Sequence, residues 1–130
     1  MKIIDYKELK KLICFIPQQL DVCKQIALLR KILKKASTDI SSLSKHHLEF
    51  YELYKNIKDN GFDKSIKFTK FLEDTILVDG KHRSAISIEL KLNNINVEFI
   101  DPEEAVFSKD ISSDIIKSIH KEIFNESDNN

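Results

Sequence analysis

Five consecutive residues, Asp79-Gly80-Lys81-His82-Arg83, have side chains that suit a phosphate-binding turn. An apolar, β-prone stretch leads directly into them. If a helix follows, its first backbone N–H groups have no intrahelical partner and attract anions. The guanidinium of Arg83 can donate two hydrogen bonds to phosphate oxygens, Lys81 adds a positive charge, and Gly80 lets a phosphate approach the main chain. His82 can donate a hydrogen bond or stack on a base. We therefore predict a phosphate or nucleotide site at this turn.

Asp79 is the acidic residue of the turn. A carboxylate does not favour phosphate directly. It would instead hold Mg²⁺, orient Arg83 or take a proton from a substrate hydroxyl. On residue types alone, an ordinary Asp-Gly turn followed by an exposed basic run explains the pattern at least as well. The phosphate hypothesis therefore depends on the elements that position the turn.

Apolar periodicity and the scarcity of glycine and proline predict a chain of regular elements with few breaks. We interpret Pro17 as a break and Asn60-Gly61 as a helix stop. The predicted helices are residues 6–12, 19–36, 45–60 and 111–124, and the predicted strands are residues 2–5, 66–71, 75–78 and 97–100. The fold class that follows is α+β, with a small sheet of three to four short strands packed with several helices.

The segment after the turn has two interpretations. Apolar residues alternate strictly at Ile86, Ile88, Leu90 and Leu92, and Asn93-Asn94 follows them, which favours a β-hairpin. A helix over the same residues would carry a broad apolar surface. The residues by themselves leave both structures open.

Composition indicates a single soluble domain over residues 1–130, with a disordered polar tail at 125–130. Lys and Arg together number 21, and so do Asp and Glu, so the net charge is zero. A dedicated DNA-binding domain usually has a basic surplus, and we therefore do not expect a nucleic-acid partner. No apolar run is long enough to span a membrane and no signal peptide is evident, so we expect a cytoplasmic protein without a membrane partner. The oligomeric state stays open.

The cysteines and two adjacent histidines offer no convincing metal site. Cys14 and Cys23 lie among apolar residues without a CxxC pair, and we predict two buried, reduced thiols. His46 and His47 open the second long helix and could donate to an anion near the 79–83 turn. They point about 100° apart on a helix, so they do not easily share one ion. A solvated first turn is the simpler interpretation of this pair.

Residues 53–100 resemble the core of the ParB/sulfiredoxin superfamily. The helix end at residues 53–61 is similar to the family pattern S-I-x-x-x-G, and a strand follows at 65–71. Residues 76–85, ILVDGKHRSA, are similar to a hydrophobic strand followed by D/G-G-x-H/R-R-x-x-A. A last strand at 95–100 closes the ordered pattern, which covers a little over a third of the chain. The resemblance implies a ParB/sulfiredoxin-like core over 48–101 with a mixed sheet, preceded by a helical extension over 6–44.

The resemblance also implies a function. It predicts a helix over residues 82–93, with residues 80–83 contacting the phosphates of a nucleotide. This turn and the loop at Gly61 would embrace the nucleotide, which is ATP, ADP or CTP in members of the family, and we expect Mg²⁺ as the accompanying ion. In serine-phosphorylating relatives the Asp of this turn lies near the reacting hydroxyl, which gives Asp79 that role here. We therefore expect a nucleotide- or phosphate-binding domain, active as a small-molecule phosphotransferase or nucleotide hydrolase. The alternatives are a non-enzymatic regulatory module of the same fold and, less favoured, a DNA-associated ParB-like protein.

Several departures from the family narrow this expectation. Lys81 stands where sulfiredoxins have their catalytic cysteine, which argues against sulfinic-acid reduction. ParB proteins have a Gln-Pro pair where this chain has Lys64-Ser65, and too few residues follow Ile100 for a helix-turn-helix domain. The strand and loop that supply a catalytic Glu in serine-kinase relatives have no clear match, and residues 19–36 take their place.

Overall fold

The computed structural model describes residues 2–62 and 64–107 as a mixed sheet with helices packed against it. The predicted α+β class, with a small sheet and several helices, is confirmed. The strands are β1 (Lys2–Ile4), β2 (Ile66–Phe71), β3 (Asp74–Asp79) and β4 (Ile95–Phe99). The helices are α1 (Tyr6–Leu12), α2 (Ile16–Thr38), α3 (Lys45–Asn60), α4 (Lys81–Glu89) and α5 (Pro102–Phe107), with a 3-10 turn at Ile40–Ser42.

The sheet has the order β1-β4-β2-β3. β2 and β3 form an antiparallel hairpin, and Leu72 in its turn has a positive φ of 56°. A register shift between Lys67 and Phe68 marks a bulge in β2. The chain then passes through α4 to β4, which pairs parallel with β2, while β1 pairs antiparallel with β4. This connection leaves β3 at one edge of the sheet, with α4 beginning directly after its last residue.

The sheet lies between two apolar layers. Side chains on one face pack with helices α1, α2, α3 and α4 in the main core. The core residues that the sheet contributes are Ile4, Ile66, Phe68, Leu77, Ile95 and Val97. Their neighbours Ile76 and Val78 point to the other face and pack with Ala105 of α5. Because side chains alternate along a strand, β3 is buried on both sides as it approaches Asp79.

Pro17 begins α2 rather than breaking the chain. It stands in the first turn of the helix, where its missing N–H group would have no intrahelical partner anyway. The helix therefore starts three residues before the predicted position and ends at Thr38, two residues after it. Its buried positions are Gln18, Val22, Leu29 and Ile32, so its core face includes a polar residue.

The prediction that both cysteines are buried is wrong. Cys14 and Cys23 are exposed free thiols. Cys14 lies in the short link between α1 and α2, and Cys23 lies on the outer side of α2, close to Leu20, which is 59% exposed. The face of α2 that contains Gln18 and Val22 packs on the core instead, so the buried face includes a glutamine that apolar periodicity does not identify.

The contested segment is a helix, and the hairpin interpretation is wrong. α4 ends at Glu89, four residues before the end that the family resemblance implied, because Lys91 adopts a left-handed φ of 52° and redirects the chain into β4. α4 packs against α1, α2 and α3. Ile86 is fully buried and Ile88 and Leu90 are partly buried, so contacts on several sides explain the alternating apolar residues.

Helix α3 has the predicted bounds. The side chain of Ser44 accepts a hydrogen bond from the N–H of His47 at the start of α3. Gly61 at its end has a φ of 77° and donates its N–H to the carbonyl of Ile57.

The predicted helix over 111–124 and the tail over 125–130 lie outside the described residues. Among the helices that the structure describes, none is long and apolar enough to cross a membrane.

Candidate functional site

A cavity of about 290 Å³ lies where β3 passes into α4. The predicted 79–83 turn forms one side of it, and residues of α2 and α3 form the other. The lining residues are Gln18, Asp21, Val22, Leu53, Leu77, Val78, Asp79, Gly80, Lys81, His82 and Arg83. All five residues of the predicted turn therefore line one concave site.

Gly80 fixes the geometry of the turn. Its φ of 108° and ψ of 31° lie in the left-handed region that favours glycine. A Cβ atom at this position would lie 3.2 Å from two side-chain carbons of Ile66. Gly80 is also the N-cap of α4, and its carbonyl accepts the N–H of Ser84 at 2.7 Å. Since glycine has no side chain to cap the helix, the N–H groups of the first turn remain available to a ligand.

Two cations stand at this helix start. Lys81 Nζ lies 3.3 Å from Asp21 Oδ2, and both side chains are about one third exposed. The Nε atom of Arg83 is buried and has no hydrogen-bond partner among the described residues. A buried guanidinium donor without an acceptor is costly, so Arg83 favours an anionic ligand in the cavity.

His82 combines contact with an aromatic ring and contact with solvent. Its ring packs edge-on against Phe50 of α3, with the centroids 4.6 Å apart. Partial burial lowers the pKa of His82 below its ordinary value of 6.5, and the positive charges of Lys81 and Arg83 lower it further. The imidazole is therefore neutral at pH 7 and can offer one N–H donor to an anion.

Two carboxylates line the same cavity from different elements. Asp79 is the partly buried last residue of β3 and pairs with Lys67 beside the bulge. Asp21 comes from α2, where it is the only acidic residue among five basic ones. Asp79 was predicted from the sequence and Asp21 was not, because the place of Asp21 at the cavity depends on a contact with Lys81 from a distant part of the chain.

Gln18 holds α2 against the edge of the sheet and so forms a wall of the site. Its side-chain N–H donates to the carbonyl of Leu77, and its side-chain oxygen accepts the N–H of Leu77 at 2.8 Å. Both groups are buried. Helix α2 therefore supplies one wall of the cavity, a role that hydrophobic periodicity could not reveal.

The structure does not bring Gly61, His46 or His47 into the cavity. Gly61 is exposed at the C-terminal end of α3, whereas Leu53 is the residue of that helix that lines the site. The His46 side chain is exposed and lies 4.0 Å from Glu49. His47 is partly buried near the same helix start but is not among the lining residues.

A divalent cation would find incomplete coordination from the protein itself. Within residues 2–62 and 64–107, no group of three or more His, Cys, Asp or Glu side chains is placed to hold a metal. Asp21 and Asp79 supply two carboxylates to the cavity. This set fits Mg²⁺, which is commonly held by one or two carboxylates while phosphate oxygens and water complete its shell.

Comparisons with known proteins give no relative for this chain. No family model matches it, and no curated protein and no solved structure is significantly similar to it. The chemistry of the cavity is therefore the basis for assigning a function.

Proposed function

We propose that the cavity binds the phosphate groups of a nucleotide or another phosphorylated small molecule. The observation that carries this proposal is the start of α4, where no side chain caps the helix. Gly80, Lys81, His82 and Arg83 lie there in succession, and all four line the cavity. Free N–H groups, the helix dipole and two cations all favour an anion at the same place. The Nε of Arg83 is buried without a partner among the described residues, and an oxyanion would satisfy it once the side chain turned towards the cavity.

The size of the cavity suits the charged part of such a ligand. At about 290 Å³ it lies at the lower end of ordinary small-molecule sites, which span roughly 300–1,000 Å³. The phosphates would lie on the α4 start, and a sugar or base would extend past the exposed His82. The side chains of Leu53 and Val22 supply apolar contact on the opposite wall.

Asp79 is the residue that we propose for catalysis. It lines the cavity one residue before the helix start, so its carboxylate is close to any phosphate bound there. It can accept a proton from an attacking hydroxyl or hold Mg²⁺ on the phosphate oxygens. The corresponding reactions are transfer of a phosphoryl group to a small molecule and hydrolysis of a nucleotide.

We also propose that the chain is a ParB/sulfiredoxin-like domain. The order α3, β2, β3, the 79–83 turn, α4 and β4 supports this proposal, as does a helix rather than a hairpin after the turn. A non-enzymatic regulatory role remains the alternative if Asp79 proves dispensable. The two exposed free thiols are consistent with a reducing compartment such as the cytoplasm.

Thermal-shift measurements with ATP, ADP, CTP and GTP, with and without Mg²⁺, test the proposal. A specific ligand at 100 times its Kd adds about 2.7 kcal/mol to the stability of the folded state. Arg83→Ala should remove the shift, whereas Arg30→Ala should keep it, because Arg30 pairs with Glu89 outside the cavity. If no nucleotide and no pyrophosphate raises the melting temperature, the binding proposal is wrong.

A further inference from the structure

Lys81 already has a partner in the cavity, and that partner is exchangeable. Its Nζ lies 3.3 Å from Asp21 Oδ2, and both side chains are about one third exposed. Solvent screens a pair of this kind, and such pairs contribute little to stability. A di- or triphosphate offers several charged oxygens to the same ammonium group and can accept hydrogen bonds from the start of α4, whereas Asp21 accepts none there among the described residues.

Departure of Lys81 would change the chemistry of Asp21. Once Lys81 turned to a phosphate, Asp21 would be an unpaired carboxylate lining the same cavity as Asp79. Two carboxylates facing a polyphosphate repel it unless a cation lies between them. Since the described residues offer no complete set of metal ligands, the phosphate oxygens must contribute to any divalent site.

We propose that Lys81 exchanges Asp21 for phosphate when the ligand binds, and that the released Asp21 joins Asp79 in holding the divalent cation carried by that ligand. This inference rests on the proposed function and names its substrate class. The substrate is the Mg²⁺ complex of a nucleoside di- or triphosphate, rather than a free phosphomonoester. Binding of metal and binding of polyphosphate are then coupled, and the coupling is equal in both directions.

Asp21→Asn separates the two roles of this carboxylate, because asparagine keeps the shape and loses the charge. The measurement is isothermal titration calorimetry of the full chain with ATP, once in EDTA and once in excess Mg²⁺. In EDTA the variant should bind ATP about two- to fivefold more tightly than the wild type, because Lys81 no longer has a competing carboxylate. The gain in ATP affinity that Mg²⁺ gives the wild type should shrink in the variant.

Glu89→Gln is the matched control. Glu89 pairs with Arg30 and joins the same two helices, α2 and α4, but neither residue lines the cavity. The control should bind ATP like the wild type with and without Mg²⁺, and melting temperatures verify that each variant is folded. If Glu89→Gln reproduces the changes of Asp21→Asn, helix packing is the cause and the inference is overturned.

Two further outcomes are decisive and distinct. If the wild type binds ATP and Asp21→Asn has the same affinity and the same Mg²⁺ dependence, the exchange is disproved while the phosphate site stands. If the wild type binds ATP in neither EDTA nor Mg²⁺ and does not bind pyrophosphate either, the proposed function is wrong. The exchange of Asp21 for phosphate is then disproved as well.

Discussion

The side-chain amide of Gln18 forms two hydrogen bonds with the main chain of Leu77, one as donor and one as acceptor. Leu77 belongs to β3, the edge strand of the sheet, and Gln18 lies in the first turns of α2. The amide thus takes the place that a neighbouring strand would otherwise fill. It also sets the position of Asp21, about one turn further along α2, relative to the 79–83 turn.

Replacing Gln18 should destabilise the fold. Gln18→Ala leaves the buried N–H and C=O groups of Leu77 without their partner, which costs about 1–3 kcal/mol for each unsatisfied group. The free energy of unfolding in urea measures the loss. Gln19→Ala is the control. Gln19 is exposed, so this substitution should change the free energy of unfolding by less than about 0.5 kcal/mol. Equal losses in the two variants would contradict the role of Gln18.

The two glycines should respond differently to alanine. Gly80→Ala meets both a left-handed φ of 108° and a 3.2 Å contact with Ile66, so we expect a loss of about 2 kcal/mol or more. Gly61→Ala meets no neighbour within 4 Å, but the φ of 77° and ψ of −166° at Gly61 lie in a region that is essentially restricted to glycine, so backbone strain alone should cost about 1–3 kcal/mol. Chemical denaturation measures both variants. Unchanged stability of Gly80→Ala would contradict the packing of the turn.

His82 should make the folded state less stable as the pH falls. Its pKa in the folded protein lies below 6.5, the value of an unperturbed histidine, so the unfolded chain binds the proton more readily. Stability that His82 contributes above pH 6.5 is therefore lost as the pH drops from about 6.5 through the lower, folded pKa. His82→Gln should flatten this part of the pH–stability curve. His46→Gln, at an exposed position outside the cavity, is the control.

A bound phosphate should raise the lowered pKa of His82. The nearby charges of Lys81 and Arg83 contribute to the low pKa, and an anion between them and the ring would offset that repulsion. NMR titration of the imidazole with and without pyrophosphate measures the change. We expect the pKa of His82 to rise when pyrophosphate is present. A His82 pKa at or above 6.5 in the ligand-free protein would contradict the described environment of the ring.

Both cysteines should react with a thiol reagent in the folded protein. Cys14 and Cys23 are exposed, so labelling should reach both without denaturant. Single Cys14→Ser and Cys23→Ser variants assign the two rates, and each should retain one reactive thiol. If Cys23 reacted only after unfolding, the described orientation of α2 would be wrong.

Local signals in the sequence predicted the fold class, the bounds of α1 and α3, and the strand that leads into the 79–83 turn. Ser44 and Gly61 mark the ends of α3, and apolar β-prone residues mark β3 before Asp79. The orientation of α2 could not be predicted from apolar periodicity, because the polar Gln18 is buried on its core face while the apolar Leu20 is exposed. For the same reason Asp21 was missed, since its importance comes from a contact with Lys81, 60 positions away in the chain.

The hairpin interpretation of the segment after the turn failed for a related reason. Alternating apolar residues predict a strand only where one face is buried. α4 contacts helices on several sides, so Ile86, Ile88 and Leu90 all find apolar neighbours although they do not share one helical face.

The most direct test of the account is an NMR titration of ¹⁵N-labelled protein with pyrophosphate and with ATP plus Mg²⁺. If the uncapped start of α4 binds phosphate, the backbone amides of Lys81, His82 and Arg83 should show the largest, saturable shifts. The amides of Gly61 and His46, which lie outside the cavity, should stay nearly unchanged. Saturable shifts centred elsewhere, or no shifts at the start of α4 at millimolar ligand, would contradict the phosphate site.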